Sequence, residues 1–116
     1  VAGEGKSMRL ENRVPGADAN AHLIYAAMLA SGLHGIEHKL EPVGPFDTAN
    51  AYELPNLPKL HRTLTDATDA FANSKIARQL LGDHVVDHYT QIARWEQNEY
   101  NKYVTDWERR RYFELI

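Results

Sequence analysis

The sequence contains no cysteine, so the chain can form no disulfide, which is typical of proteins that work in a reducing compartment. It also lacks a long apolar run, because its least polar stretch, residues 26 to 33, is far too short to span a bilayer. An excess of basic residues is absent as well. The net charge of −3 argues against nucleic acid or an anionic membrane as a partner. We therefore expect a cytoplasmic protein.

The composition is that of a globular protein, with 43% hydrophobic and 25% charged residues. A length of 116 residues allows one small domain with a modest core. The sequence begins with Val1 rather than with methionine, and its most distinctive motif starts within ten residues of that end. We therefore expect residues 1–116 to be a fragment of a longer polypeptide.

The distinctive motif is an alternation of charge near the N-terminus, in which Arg9, Glu11 and Arg13 recur at every second position. On a β-strand these three side chains project from the same face, so two guanidinium groups flank one carboxylate. Burying such a row without a partner is costly, and it should face solvent, another chain or a polar ligand. Pro15 follows and breaks the predicted strand, and Asp18 is placed to cap the helix behind it.

Downstream of this motif, the hydrophobic pattern changes to helical spacing. The steps of three and four predict a helix from residue 20 to about 40 with one buried face, formed by Leu23, Ala26, Ala27, Ala30, Leu33 and Ile36. Four prolines predict a long connection between residues 42 and 62, namely Pro42, Pro45, Pro55 and Pro58.

Helix start signals then follow one another to the C-terminus. Capping or starting residues stand at Thr63, Ser74 and Asp83, and either Thr105 or Asp106 can cap the last helix. The first of these helices should bury Leu64, Ala67, Ala70 and Phe71, and Gly82 should end the second. The sequence thus predicts an α+β fold that is mainly α, with one or two N-terminal strands followed by four or five helices.

A family resemblance rests on the same N-terminal region. The run Arg9-Leu10-Glu11-Asn12-Arg13, a proline-containing turn, Ala17-Asp18-Ala19-Asn20 and an Ala/Leu/Gly-rich helix to Leu40 resemble the glutamine synthetase superfamily. A shorter match at residues 104 to 112 looks closest to the branch that includes γ-glutamylpolyamine synthetases. The resemblance implies that residues 1–116 are the C-terminal portion of a catalytic domain of this type.

The resemblance also implies roles for the three charged residues. Glu11 would be one ligand of an active-site Mg²⁺ or Mn²⁺. Arg13 would be catalytic and would bind the γ-carboxylate of glutamate and the phosphoryl group passed to it, and Arg9 would lie on the nucleotide side. Arginine forks and a hard cation suit phosphoryl transfer, which depends on positioning and on charge neutralisation.

The implied reaction is ligation in glutamine biosynthesis and nitrogen metabolism. ATP would activate the γ-carboxylate of glutamate as an acyl phosphate, which ammonia or an amine would then attack. Members of the family assemble as homo-oligomeric rings. Because the remaining metal ligands lie in parts of the family sequence that are absent here, we expect the isolated chain to be inactive.

Two other interpretations remain open. The sequence His34-Gly35-Ile36-Glu37-His38 matches the His-x-x-Glu-His pattern of a zinc peptidase, and a helix would place both histidines on one face. No third ligand stands at a persuasive spacing. Alternatively, the chain is a non-catalytic helical interaction module in which Arg9, Glu11 and Arg13 form only structural ion pairs.

Overall fold

The computed structural model describes residues 4–41 and 58–115, and these ranges contain five α-helices and no β-strand. The predicted α+β class with N-terminal strands is therefore wrong for the described part of the chain. The helices are α1 (Ala21–Glu37), α2 (Leu64–Asn73), α3 (Lys75–Leu81), α4 (Asp83–Tyr100) and α5 (Asp106–Tyr112). The chain divides into two compact units, Val1–Glu41 and Pro42–Ile116.

The first unit contains α1 and the segment that leads into it. A single 3₁₀ turn, Gly5–Ser7, precedes a stretch without regular structure that runs to residue 20. A strand is stabilised by pairing with a neighbour over several residues. Within the described residues of this segment only Arg9 forms a β-bridge, and the bridge is isolated. The alternating charges alone could not supply the pairing that a strand requires.

The residue that caps α1 lies two positions after the predicted one. Asn20, rather than Asp18, caps the helix, because the Asn20 side chain accepts hydrogen bonds from the backbone N–H groups of His22 and Leu23 at 3.0 and 3.2 Å. The helix ends at Glu37, and Lys39 then adopts a left-handed conformation with φ of 48°. The cap fixes the point at which the N-terminal segment meets the helix.

The second unit is built around α4, against which both α2 and α3 pack. Its centre contains Val86, which is fully buried, together with the buried threonines Thr68 and Thr90. Thr68 lies on α2 and the other two lie on α4. The predicted apolar side of α2 is wrong, because Leu64 is exposed and Thr68 is the residue that α2 buries.

The helix caps of the second unit are confirmed. The hydroxyl of Thr63 accepts from the backbone N–H of Asp66 at 3.1 Å, and Ser74 does the same for Ala77 at 3.1 Å. Thr105 forms a reciprocal capping box at the start of α5. Gly82 ends α3 with φ of 83°, a value that glycine adopts without strain.

Few side chains are buried in the part of the chain that the structure describes. Val86 is the only buried hydrophobic residue there, and α1 buries no residue at all. The predicted buried face of α1 is formed only in part: Leu23, Ala27 and Ala30 are half-buried. Leu33 and Ile36 are 52% and 75% exposed. Most of the predicted proline-rich connection lies outside the described residues. No helix in the described ranges is long and apolar enough to cross a membrane.

Candidate functional site

The candidate site consists of Arg9, Glu11 and Arg13, and the structure brings the three side chains together. Arg9 Nη2 lies 3.4 Å from Oε2 of Glu11, and Arg13 Nε donates to the other carboxylate oxygen, Oε1. The two contacts place both guanidinium groups around the one carboxylate of Glu11. The three side chains therefore lie together as predicted from the sequence, although the strand that was expected to carry them is absent.

The exposure of the cluster limits what it can contribute to stability. The side chains of Arg9, Glu11 and Arg13 are 60%, 35% and 87% exposed. Exposed ion pairs of this kind contribute only about 0–1 kcal/mol each. With two guanidinium groups and one carboxylate, the cluster carries an excess positive charge. Among residues 4–41 and 58–115 the other N–H donors of Arg13 have no hydrogen-bond partner, and a guanidinium fork of this kind suits a phosphoryl or carboxylate group.

The carboxylate of the cluster is of the chemical type that binds hard metal ions. Carboxylate oxygens are the ligands that Mg²⁺ and Mn²⁺ prefer, and Glu11 offers two of them. Both oxygens are engaged by arginines here, so a cation would have to displace at least one guanidinium. Within residues 4–41 and 58–115, no group of three or more His, Cys, Asp or Glu side chains could hold a metal ion. Glu11 therefore fits the role of one ligand in a site completed by other residues.

A series of local hydrogen bonds connects this cluster to α1. The side chain of Asn12 accepts from the backbone N–H of Val14 at 3.1 Å, and the backbone N–H of Ala19 donates to the carbonyl of Gly16 at 3.2 Å. A Cβ atom at Gly16 would come within 2.8 Å of the Asp18 carboxylate. A side chain at position 16 would thus require the Asp18 carboxylate to move, and the turn lies between the charged segment and the helix start.

The alternative zinc motif does not assemble a site in the described residues. The rings of His34 and His38 lie with their centroids 4.0 Å apart, but Nδ1 of His38 donates to the carbonyl of His34 at 2.9 Å. Nδ1 of His34 is buried without a hydrogen-bond partner in the described part of the chain. No third ligand joins the pair within that part. The geometry gives no support to a zinc peptidase.

Three hydrogen bonds of Arg78 in the second unit, which we call the Arg78 clasp, were not predicted from the sequence. Arg78 donates to the carboxylates of Asp83 and Asp87 at 2.8 Å each, and its Nε donates to the carbonyl of Ala72 at 3.0 Å. The hydrogen bond to Asp83, followed by that to Asp87, raises the pKa of Arg78 above its usual value. The contacts cross the helix break at Gly82, so no helical periodicity could have revealed them. The clasp ties α2, α3 and α4 together.

A polar cleft between α2 and α4 was missed as well. It has a volume of about 300 Å³ and is lined largely by hydroxyl, amide and charged side chains. The ion pair of Asp69 and Arg94, at 3.3 Å, joins the two helices there. The only sequence signal was the pair of amides Gln97 and Asn101, which are four residues apart and hydrogen-bonded at 2.9 Å.

Comparison of the chain with known proteins identifies its family. Residues 1–112 match the family model described as glutamine synthetase, catalytic domain. The chain is 42% identical to glutamate–isopropylamine ligase from Pseudomonas sp over 118 residues, which cover 100% of this chain and 26% of that protein. It is 45% identical to gamma-glutamylethanolamide synthetase from Streptomyces coelicolor over 116 residues, covering 100% of this chain and 25% of the relative.

A more distant relative also matches the chain over nearly its whole length. The glutamine synthetase of Thermotoga maritima is 34% identical over 117 residues, or 96% of this chain and 27% of the relative. No solved structure gives a significant match. The chain spans about a quarter of the length of the curated relatives that it matches. The chain belongs to the glutamine synthetase catalytic-domain family.

Proposed function

We propose that this chain is the C-terminal portion of the catalytic domain of an ATP-dependent ligase that joins the γ-carboxylate of glutamate to ammonia or an amine. The observation that carries the proposal is the exposed cluster in which two arginines hold one carboxylate immediately before α1. The cluster contributes little to stability in this arrangement, which favours a role in binding. The names of its family relatives include both amine ligases and glutamine synthetases.

Within this proposal each charged residue has one task. Glu11 is one ligand of Mg²⁺ or Mn²⁺, which when bound neutralises negative charge on the phosphoryl oxygens. Arg13 is catalytic: its fork binds the γ-carboxylate of glutamate and then the phosphoryl group of the acyl phosphate. Arg9 faces the nucleotide. Both oxygens of Glu11 contact these arginines, so Glu11 would hold the cation only where the arginines turn to substrate oxygens instead.

The number of metal ligands explains why the proposed enzyme needs more than this chain. Glu11 is a single carboxylate, and a hard cation requires several oxygen ligands. We therefore propose that the other ligands and most of the nucleotide site come from elsewhere in a longer polypeptide. We also propose a homo-oligomeric ring and a cytoplasmic location for the intact enzyme, as in the family, and no ligase activity for residues 1–116 alone.

The experiment measures ADP release by the full-length polypeptide that contains this chain. Reactions contain ATP, glutamate and Mg²⁺ or Mn²⁺ with one acceptor at a time, namely ammonia, isopropylamine, ethanolamine or a polyamine. The relatives named for isopropylamine and ethanolamide support testing small amines first. We expect ADP release that requires both the metal and one of these acceptors.

A variant pair tests the assigned residue. Arg13→Gln should lower kcat/KM by about 10²–10³-fold, because it removes a charge that stabilises the transferred phosphoryl group. Arg110→Gln, in the exposed arginine run of α5, is the matched control and should leave the rate unchanged. Near-normal activity of Arg13→Gln would contradict the role of Arg13, and ligase activity of residues 1–116 alone would contradict the proposed incompleteness.

A further inference from the structure

Helix α4 carries two histidines near its N-terminal end, His84 and His88, which we call the α4 histidine pair. Residues four positions apart are neighbours on one face of a helix. Val86 lies between them in the sequence and is fully buried, and at about 100° per residue it lies on the opposite side of the helix. Both histidines are exposed. The packing of α4 therefore directs the pair away from the core of the second unit.

The two rings lie close to the spacing that one shared metal ion requires. Their centroids are 6.5 Å apart, and their planes are inclined by 28°. Because imidazole nitrogens bind Zn²⁺ at about 2.0–2.1 Å, two rings on one tetrahedral ion have centroids about 5 Å apart. Exposed side chains cover such a difference by rapid rotation. Within residues 4–41 and 58–115, His84 and His88 form ring contacts but no hydrogen bond or ion pair. Their ring nitrogens therefore lose no protein hydrogen bond there on binding a metal.

The charges beside the α4 histidine pair favour a cation. Asp83 and Asp87 each precede one of the histidines, and Arg78 donates to both carboxylates at 2.8 Å. Two carboxylates and one guanidinium leave one excess negative charge. The positive end of the α4 dipole opposes a cation, but it is equivalent to only about half an elementary charge. The negative charge is therefore the larger of the two effects.

The other pair of histidines with the same spacing, His34 and His38 in and after α1, lacks these features. Its ring centroids are 4.0 Å apart, which is closer than a shared ion requires. Nδ1 of His38 donates to the carbonyl of His34, and Nδ1 of His34 is buried. The two pairs thus differ in the structure although their sequence spacing is identical.

We propose that the α4 histidine pair binds one divalent transition-metal ion, such as Ni²⁺, Cu²⁺ or Zn²⁺, with water at the remaining positions. Imidazole nitrogen suits these ions, whereas Mg²⁺ and Mn²⁺ prefer oxygen ligands. This site is therefore chemically distinct from the one proposed for Glu11. The bound ion links two successive turns of α4. The inference does not depend on the proposed function, because both ligands lie on one helix.

The test measures modification of each histidine by diethyl pyrocarbonate in the full-length polypeptide, at increasing Ni²⁺ concentration, with peptide mass spectrometry as the readout. A bound ion should slow modification of both His84 and His88 by a factor of 1 + [Ni²⁺]/Kd with one shared Kd, or about 10-fold at about ten times Kd. His61 is exposed, lies outside the helices and has no histidine four residues away, so its rate should not change. Cu²⁺ should act at lower concentration than Ni²⁺, and Mg²⁺ should have no effect.

Variants that change the spacing separate a shared ion from independent binding to single histidines. His88→Gln should abolish the protection of His84, and His84→Gln should abolish that of His88, because the second imidazole binds intramolecularly. Adding Gln91→His to His88→Gln restores the number of histidines. Position 91 is seven residues from His84, or about 10.5 Å along the helix, so His84 should stay unprotected.

Each of three results would overturn the inference. Protection of His84 that survives His88→Gln, or that is equally strong at His61, would indicate an adventitious ion only. Slow modification of the α4 histidine pair without any metal would show that the pair is covered in the full-length polypeptide. Mutual protection in a polypeptide without ligase activity would support the inference and remove the proposed function alone.

Discussion

Two buried threonines in the second unit allow one prediction to be developed in detail, because the same substitution should act in opposite directions. Thr68 is 6% exposed, and its hydroxyl donates to the carbonyl of Leu64 at 2.6 Å. Thr90 is 5% exposed, and its hydroxyl has no hydrogen-bond partner within residues 58–115 or 4–41. Valine has nearly the same shape as threonine but no hydroxyl, so Thr→Val isolates the polar contribution at each site.

The magnitudes follow from the cost of burying a hydroxyl. A buried and unpaired hydroxyl costs about 1–3 kcal/mol, so Thr90→Val should raise the free energy of unfolding by about 1 kcal/mol or more. A satisfied buried hydrogen bond contributes about 0.5–1.5 kcal/mol, so Thr68→Val should lower it by about 1 kcal/mol. The two variants should therefore differ by about 2 kcal/mol, although the chemical change is identical.

The assay is urea unfolding followed by circular dichroism at 222 nm. With a slope of about 1–2 kcal/mol per M for a chain of this size, the two midpoints should differ by about 1–2 M. The unsubstituted chain should lie between them. A Thr90→Val variant that is less stable than the unsubstituted chain would refute the reasoning, because it would mean that the Thr90 hydroxyl is satisfied in the folded protein.

Three further predictions concern the same scaffold. Val86→Ala should lower the free energy of unfolding by about 2 kcal/mol in urea titrations, because it removes two methyl groups from a fully buried position. Asn20→Ala should cost about 1 kcal/mol through loss of the α1 cap, and Asn20→Ser, which keeps an acceptor, should restore most of the helical signal. Arg78→Lys should lower the urea midpoint, because a lysine cannot reproduce the forked contacts to two carboxylates. Because the pKa of Arg78 is raised, its contribution to stability is complete below the usual arginine pKa and is lost only in strong alkali. The midpoint difference should therefore be the same at pH 6 and at pH 8, where both side chains are charged.

The features that could be predicted from the sequence are those determined by local chemistry. The caps at Thr63, Ser74 and Thr105 are confirmed, because a side-chain oxygen needs only the backbone N–H groups two or three residues ahead of it. The grouping of Arg9, Glu11 and Arg13 joins residues only two positions apart, and it is found although no strand is described there. Local rules are sufficient in both cases.

The features that could not be predicted depend on partners distant in the sequence. A strand requires a second strand, and spacing alone cannot provide one. The buried side of α2 depends on where α4 lies, so that Thr68 is buried while Leu64 remains exposed. The Arg78 clasp joins an α3 residue to carboxylates of α4 across a helix break. Helical periodicity therefore could not have indicated it.

The central claim is that Glu11 binds the cation that assists phosphoryl transfer. Its most direct test is the Mn²⁺ dependence of ADP release by the full-length polypeptide carrying Glu11→Gln, with Glu96→Gln on α4 as the matched control. We expect Glu11→Gln to lower kcat/KM by about 10²–10³-fold and to raise the Mn²⁺ concentration for half-maximal rate by about 10-fold or more, whereas Glu96→Gln changes neither. A Glu11→Gln enzyme with the rate and the Mn²⁺ requirement of the unsubstituted protein would contradict the claim.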